Sequence, residues 1–314
     1  MAVCGNVVSA RQTSDATADA ASQEKQCLAR GWQRVEMQVA GLARELLWKA
    51  PAGPWPRGAI IVLHGGGGQH FQWCVASAPA VAAQVRFSEL ALAEGFAVFL
   101  LNSSGRVTDN DGRVCGKVWD DEVRKRPNLD LPFIGETIRE LVPRLRPAGS
   151  RREIFLTGLS SGGYMTVRAA THFDNLVTAF APVSSGDPYG WHRVCEAGMT
   201  SRTAVHGVGF DNETGKRIIE RDACRAQAYP HEKSWDSARP AVKPAFRIFH
   251  HEQDGINDRS CSEKVGTLLR RHGYPGPADF VLRGGRRSLA NHLWQDAYNR
   301  PLLDFFSGQL DTEK

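Results

Sequence analysis

Apolar residues in this chain gather into short unbroken runs, separated by longer stretches in which they recur at helical spacing. Gly58–Leu63 reads Gly-Ala-Ile-Ile-Val-Leu and Ala97–Leu101 reads Ala-Val-Phe-Leu-Leu. Runs this short and continuous mark strands buried on both faces. Further strands are expected at Glu153–Thr157, Leu176–Pro182, Ala245–Phe249 and Asp279–Leu282. Helices are expected at Phe87–Glu94, Leu131–Leu145, Gly162–Thr171, Ser262–Arg271 and His292–Phe306. Strands alternating with helices at this spacing imply right-handed crossovers. The fold class is therefore α/β, a mostly parallel central sheet with helices on both faces. Ahead of it, Gln33–Val39 and Arg44–Lys49 read as a hairpin turned near Gly41.

Two stretches depart from this rhythm. Residues 1–25 are rich in Ala, Ser, Thr and Asp without a hydrophobic period, and are expected to form a flexible leader to a domain over 26–314. At about 185–240 no convincing strand is found, although Tyr189, Trp191, His192, Tyr229 and Trp235 lie there. This interval reads as a lid-like insertion over the carboxyl edge of the sheet, held by a Cys195–Cys224 link. Long insertions in compact domains are usually functional or disordered.

Composition narrows the class. The chain has 314 residues, enough for one large domain. Its 39 basic and 34 acidic residues interleave, so the net charge of +5 gives no patch dense enough for nucleic acid. No apolar stretch approaches the roughly 20 residues that span a bilayer. None of the seven cysteines shows CxxC spacing or a His-rich neighbourhood, so no metal site is expected. Six fall in or beside predicted loops, which suits an exported, disulfide-bearing protein, either secreted or periplasmic. Cys4, in Met-Ala-Val-Cys-Gly, is the odd one out and a candidate for a lipid anchor at the cell surface.

Candidate chemistry centres on Gly158-Leu-Ser-Ser-Gly-Gly163, directly after one buried strand and before a helix. A serine on so sharp a turn needs small residues two before and two after it, because the chain folds back on itself. Ser160 has Gly158 and Gly162 at those offsets; Ser161 would have Leu159. Ser160 is thus the expected nucleophile. The Ser161 N–H is one expected oxyanion donor, and Gly66 or Gly67, in Leu63-His-Gly-Gly-Gly-Gly-Gln69, is the other. Chain order then asks for an acid and a histidine. Asp254 lies just past the strand at 245–249, with Glu252 and Asp258 as competitors. His292, on the loop beyond the last strand, is the expected base. His64 is expected to brace the glycine loop and, with Tyr164, Trp191 and Trp294, to line the pocket.

With these residues in place the chain resembles the secreted polyhydroxybutyrate-depolymerase and feruloyl-esterase group of the α/β-hydrolase superfamily, over about Arg44 to Phe306. The resemblance rests on Leu-His-Gly-Gly at 63–66, Gly-Leu-Ser-Ser-Gly-Gly-Tyr-Met at 158–165, His-x-x-x-Asp at 250–254 and His-x-Trp at 292–294. It implies the α/β-hydrolase fold, a Ser160–Asp254–His292 triad, no cofactor and an ester substrate, whether polymeric, short-acyl or phenolic. A serine peptidase or amidase of the same fold is the alternative. The chain departs from the group's pattern at His251, Asn257, Asn291 and Gln295-Asp296, and these departures bear on the substrate.

Overall fold

The computed structural model describes residues 12–108, 114–121, 127–186, 188, 207–210, 217–220 and 242–310. Its strands are β1 (Gln33–Val39), β2 (Leu42–Lys49), β3 (Ala59–Leu63), β4 (Ala97–Leu101), β5 (Gly105–Thr108), β6 (Val114–Val118), β7 (Ile154–Leu159), β8 (Ala179–Val183), β9 (Gly207–Phe210), β10 (Arg217–Glu220), β11 (Ala245–Phe246), β12 (Phe249–His251) and β13 (Phe280–Leu282). The helices are α1 (Gln12–Ala29), α2 (Ala82–Ala93), α3 (Leu131–Glu136), α4 (Val142–Leu145), α5 (Ser161–His172), α6 (Arg259–Arg271) and α7 (Asp296–Ser307). A π turn over Thr137–Leu141 joins α3 to α4. Pro143 follows it; proline has no N–H to give and its ring crowds the carbonyl four residues back, and a widened turn relieves both.

The main sheet runs β1-β2-β4-β3-β7-β8-β12-β13, with β11 also on β8. The hairpin β1–β2 and the β2–β4 pair are antiparallel, and the pairs from β4 to β13 are parallel. Alternation inside each apolar run divides the core in two. On β3, Ile61 and Leu63 join Phe99, Phe133, Ile138, Met165 and Leu269 on one face. Ile60 and Val62 join Phe87, Trp294, Leu302 and Phe306 on the other. Helices α3 and α5 thus cover one side of the sheet, and α2 and α7 the other. The hairpin turn falls at Ala40-Gly41, where φ is 50° and 80°. Two successive residues at positive φ give the turn whose twist matches its strands.

Three expectations change. The leader is helical from Gln12, because Ala, Gln, Glu and Lys carry high helix propensity even without an apolar stripe, and Cys27 near its end is disulfide-bonded to Cys74. The interval expected to lack strands contains the antiparallel pair β9–β10. The hairpin β5–β6, also antiparallel, falls where the sequence pattern predicts no strand. The proposed Cys195–Cys224 link lies outside the described residues.

Candidate active site

The sheet reverses direction of growth beside β3: the chain goes from β3 outward to β4 and then crosses back to β7. Loops leaving the carboxyl ends of β3 and β7 diverge there, and ligands bind open α/β sheets at such switch points. The loop after β3 is the glycine run 65–68, and the residue after β7 is Ser160.

Ser160 has φ 53° and ψ −118°, while Ser161 already opens α5. This is a positive φ on a residue with a Cβ, a conformation that persists only when its surroundings enforce it. The enforcement is visible. Ser160 N–H donates to the Val183 carbonyl at 2.9 Å, and Tyr164 N–H to the Ser160 carbonyl at 2.9 Å. A Cβ at Gly158 would stand 2.4 Å from the Gly162 oxygen, and one at Gly162 would stand 2.2 Å from the Leu63 oxygen. The small-residue rule applied to the sequence is therefore a packing requirement. Ser160 itself is half-buried.

Asp254 and His292 meet. His292 Nδ1 lies 2.9 and 3.0 Å from the two Asp254 carboxylate oxygens, both side chains buried. Asp254 Oδ1 also accepts the N–H groups of Ile256 and Asn257 at 2.7 and 2.9 Å, the local turn that Asp-Gly in the sequence favours. The competitors are engaged elsewhere. Asp258 caps α6 through Ser260 N–H and pairs with Arg287, and Glu252 accepts from Gly284 N–H. Ser160, Asp254 and His292 all lie beyond the carboxyl ends of parallel strands, β7, β12 and β13. Asn257 bridges the loops, its side chain donating to the Ser184 carbonyl at 2.7 Å. Among the described residues Ser160 Oγ makes no hydrogen bond to His292. Such contacts commonly tighten only when a substrate is held.

His250, the first residue of the His-x-x-x-Asp match, is fully buried beside the same carboxylate, a role its spacing did not assign. Its Nε2 lies 3.4 Å from Asp254 Oδ2 and 3.2 Å from the Asn257 carbonyl. Burial lowers its pKa to about 4 against the pull of Asp254, so it is a neutral neighbour of the acid.

Of the two glycines left open as donors, Gly67 gives its N–H to the Lys117 carbonyl at 2.7 Å. Its amide is spent on pairing with β6. The Gly66 N–H has no acceptor among the described residues, and a Cβ there would touch the Ser161 Cβ at 3.6 Å. Gly66 is the remaining candidate beside the Ser161 amide, which as the first residue of a helix has no intrahelical acceptor.

Two expected pocket residues are core instead. His64 is 1% exposed; its Nδ1–H donates to the Gly65 carbonyl and its Nε2 accepts the Ser103 N–H. Burial holds its pKa at about 3, so it is a neutral brace with no free ring nitrogen. Trp294 is 2% exposed, packed on Trp73 and Phe87 with centroids 4.7 and 5.1 Å away, and its indole N–H goes to Asn299. An aromatic two residues past a loop histidine looks like a pocket wall in one dimension, but here the turn swings it inward. Tyr164 is half-buried in the first turn of α5, and Trp191 lies outside the described residues.

The fold has solved counterparts. The acylaminoacyl peptidase of Pyrococcus horikoshii matches over 90% of this chain with a TM-score of 0.58 and 16% identity, this chain spanning 42% of its length. FphF, a fluorophosphonate-binding serine hydrolase of Staphylococcus aureus, matches over 88% of this chain and 98% of its own, with a TM-score of 0.56 and 13% identity. Est1E from Butyrivibrio proteoclasticus gives 88% and 98%, a TM-score of 0.52 and 15% identity. The fold is that of the α/β-hydrolases. No family model and no curated protein matches the sequence. Among the described residues, no helix is long and apolar enough to cross a membrane.

Proposed function

We propose that this α/β-hydrolase-fold protein is a serine hydrolase that cleaves carboxylic esters through an acyl-enzyme on Ser160. The observation that carries the reading is Ser160 at φ 53° on the turn between β7 and α5, with a hydrogen-bonded Asp254–His292 pair on neighbouring loops of the same sheet edge. In this reading His292 takes the Ser160 proton as the hydroxyl attacks the ester carbonyl, and Asp254 orients the ring through Nδ1 and stabilises its charged form. The N–H groups of Ser161 and Gly66 receive the negative oxygen of the tetrahedral intermediate. His292 passes its proton to the leaving alcohol, then activates water to release the acid. All the groups needed are side chains and amides of the chain itself.

Polyesters, short-acyl esters and phenolic esters of the feruloyl kind are the proposed substrate range, on the strength of the sequence resemblance. Export to an oxidising compartment is proposed with it, supported by the Cys27–Cys74 disulfide. Amide hydrolysis uses the same groups, so matched ester and amide substrates are the deciding pair. Hydrolysis of a small chromogenic ester should fall by about 10⁴-fold or more in Ser160→Ala, with folding preserved. Asp254→Asn should cost a similar factor, because the wrong tautomer of His292 is then favoured. Near-normal turnover in Ser160→Ala would defeat the reading, and a large loss in Asp258→Asn with Asp254→Asn unaffected would displace the acid.

A further inference from the structure

The two amides assigned to the oxyanion sit on loops that leave different strands, and the sheet fixes the strands, not the loops beyond their ends. A third segment, residues 117–121 at the end of β6, touches both. Lys117 pairs with the glycine loop in both directions: its carbonyl accepts from Gly67 N–H at 2.7 Å, and its N–H donates to the Gly68 carbonyl at 3.1 Å. The Val118 side chain lies 3.7 Å from where a Cβ on Gly66 would stand. Trp119, wholly buried, then reaches in two directions. Its indole N–H donates to the His64 carbonyl at 2.8 Å, and its backbone N–H donates to Ser161 Oγ at 3.2 Å. The Ser161 hydroxyl donates in turn to the Asp121 carboxylate.

The segment is itself anchored from behind. Asp120 N–H and Ser104 N–H both donate to the Asp130 carboxylate, which is ion-paired with Arg44 at 2.6 Å in the interior. Arg168 of α5 holds the Asp120 carbonyl at 3.0 Å. Buried polar groups satisfied this fully rigidify what they join.

We propose that Trp119 is a positioning residue for the reaction, clamping the Gly66 loop and the Ser161 amide at the separation that the developing oxyanion requires; the proposal rests on the serine-hydrolase reading above. A clamp of this kind acts on the transition state and not on substrate capture, since donors must meet the oxyanion rather than the ground-state carbonyl.

The test uses the full chain, a p-nitrophenyl ester and a phenylboronic acid as tetrahedral mimic, with Trp119→Phe, Ser161→Ala and Ser160→Ala side by side. Trp119→Phe keeps the buried ring and removes the indole N–H; Ser161→Ala removes the acceptor of the backbone bond and tolerates any folding failure of the first variant. Each should lose about tenfold in kcat, with KM within about twofold, and each should weaken boronate inhibition by a factor similar to its kcat loss; a misplacement of 1 Å can cost about 10²-fold. Unchanged kcat and boronate inhibition in folded variants, even with a lower unfolding temperature, would make Trp119 a packing residue and overturn the proposal. Full turnover in Ser160→Ala would instead remove the serine-hydrolase reading and the clamp with it.

Discussion

The Ser160 backbone is tolerable only because glycines vacate the space around it. Gly162 is the sharpest case, since a methyl there would lie 2.2 Å from the Leu63 oxygen and 2.4 Å from the His64 oxygen. Both are main-chain atoms where β3 passes into the glycine loop, so neither can yield without moving the loop. Gly162→Ala is expected to cost at the upper end of the roughly 1–3 kcal/mol typical of overpacking and to lower ester turnover at the same time. Urea unfolding together with kinetics checks this; a folded variant with unchanged turnover would mean the elbow has slack that the distances deny.

At the level of elements, α1 is joined to the body of the fold by the Cys27–Cys74 disulfide, which closes a sequence separation of 47. Cys74 directly follows the 3₁₀ turn His70–Trp73, itself the continuation of the glycine loop. Closing a loop of this length should contribute about 4 kcal/mol by chain entropy, in practice about 2–4. Cys27→Ala with Cys74→Ala is expected to lower the denaturation midpoint accordingly while leaving the kinetics on small esters nearly intact. Loss of activity with unchanged stability would show that the link holds the loop rather than the fold. Of the elements themselves, β3, β4 and β7 were readable because burial on both faces leaves a largely apolar run. The hairpin β5–β6 was not, since its strands pair with each other and, through Lys117, with the glycine loop, and neither contact leaves a mark in their own alternation. Helix α7 begins at Asp296, four residues later than its apolar period suggests, because His292 and Trp294 belong to the preceding loop.

For the molecule as a whole, three buried histidines make stability depend on pH. Burial lowers His64 and His70 to about 3 and His250 to about 4, from an unfolded value near 6.5. Glu45, whose burial alone would raise it, is nonetheless brought down to about 2 by Lys117 and its hydrogen bonds. The unfolded chain therefore binds protons that the folded one refuses. Stability is fully present above about pH 6.5 and drains away as pH falls toward 3–4, each histidine shifting the folding equilibrium about tenfold per pH unit. Denaturation midpoints measured at about pH 7.5, 6 and 5 should fall in that order. A flat profile would mean these rings are accessible to protons in the folded state.

Local pattern was enough for the parallel sheet, for placing Ser160 and not Ser161 on the turn between β7 and α5, and for placing His292 on the loop after the last strand, because a tight strand-to-helix turn and the order of strands leave one-dimensional marks. Composition could not tell a helical leader from a loose one. Three decisions needed the folded chain: that Asp254 rather than Asp258 faces His292, that Gly67 spends its amide on Lys117 and leaves Gly66, and that His64 and Trp294 turn inward. Each depends on where a neighbour from a distant part of the chain offers a hydrogen bond or a packing surface, and such partners are set by three-dimensional closure, which spacing along the sequence does not encode.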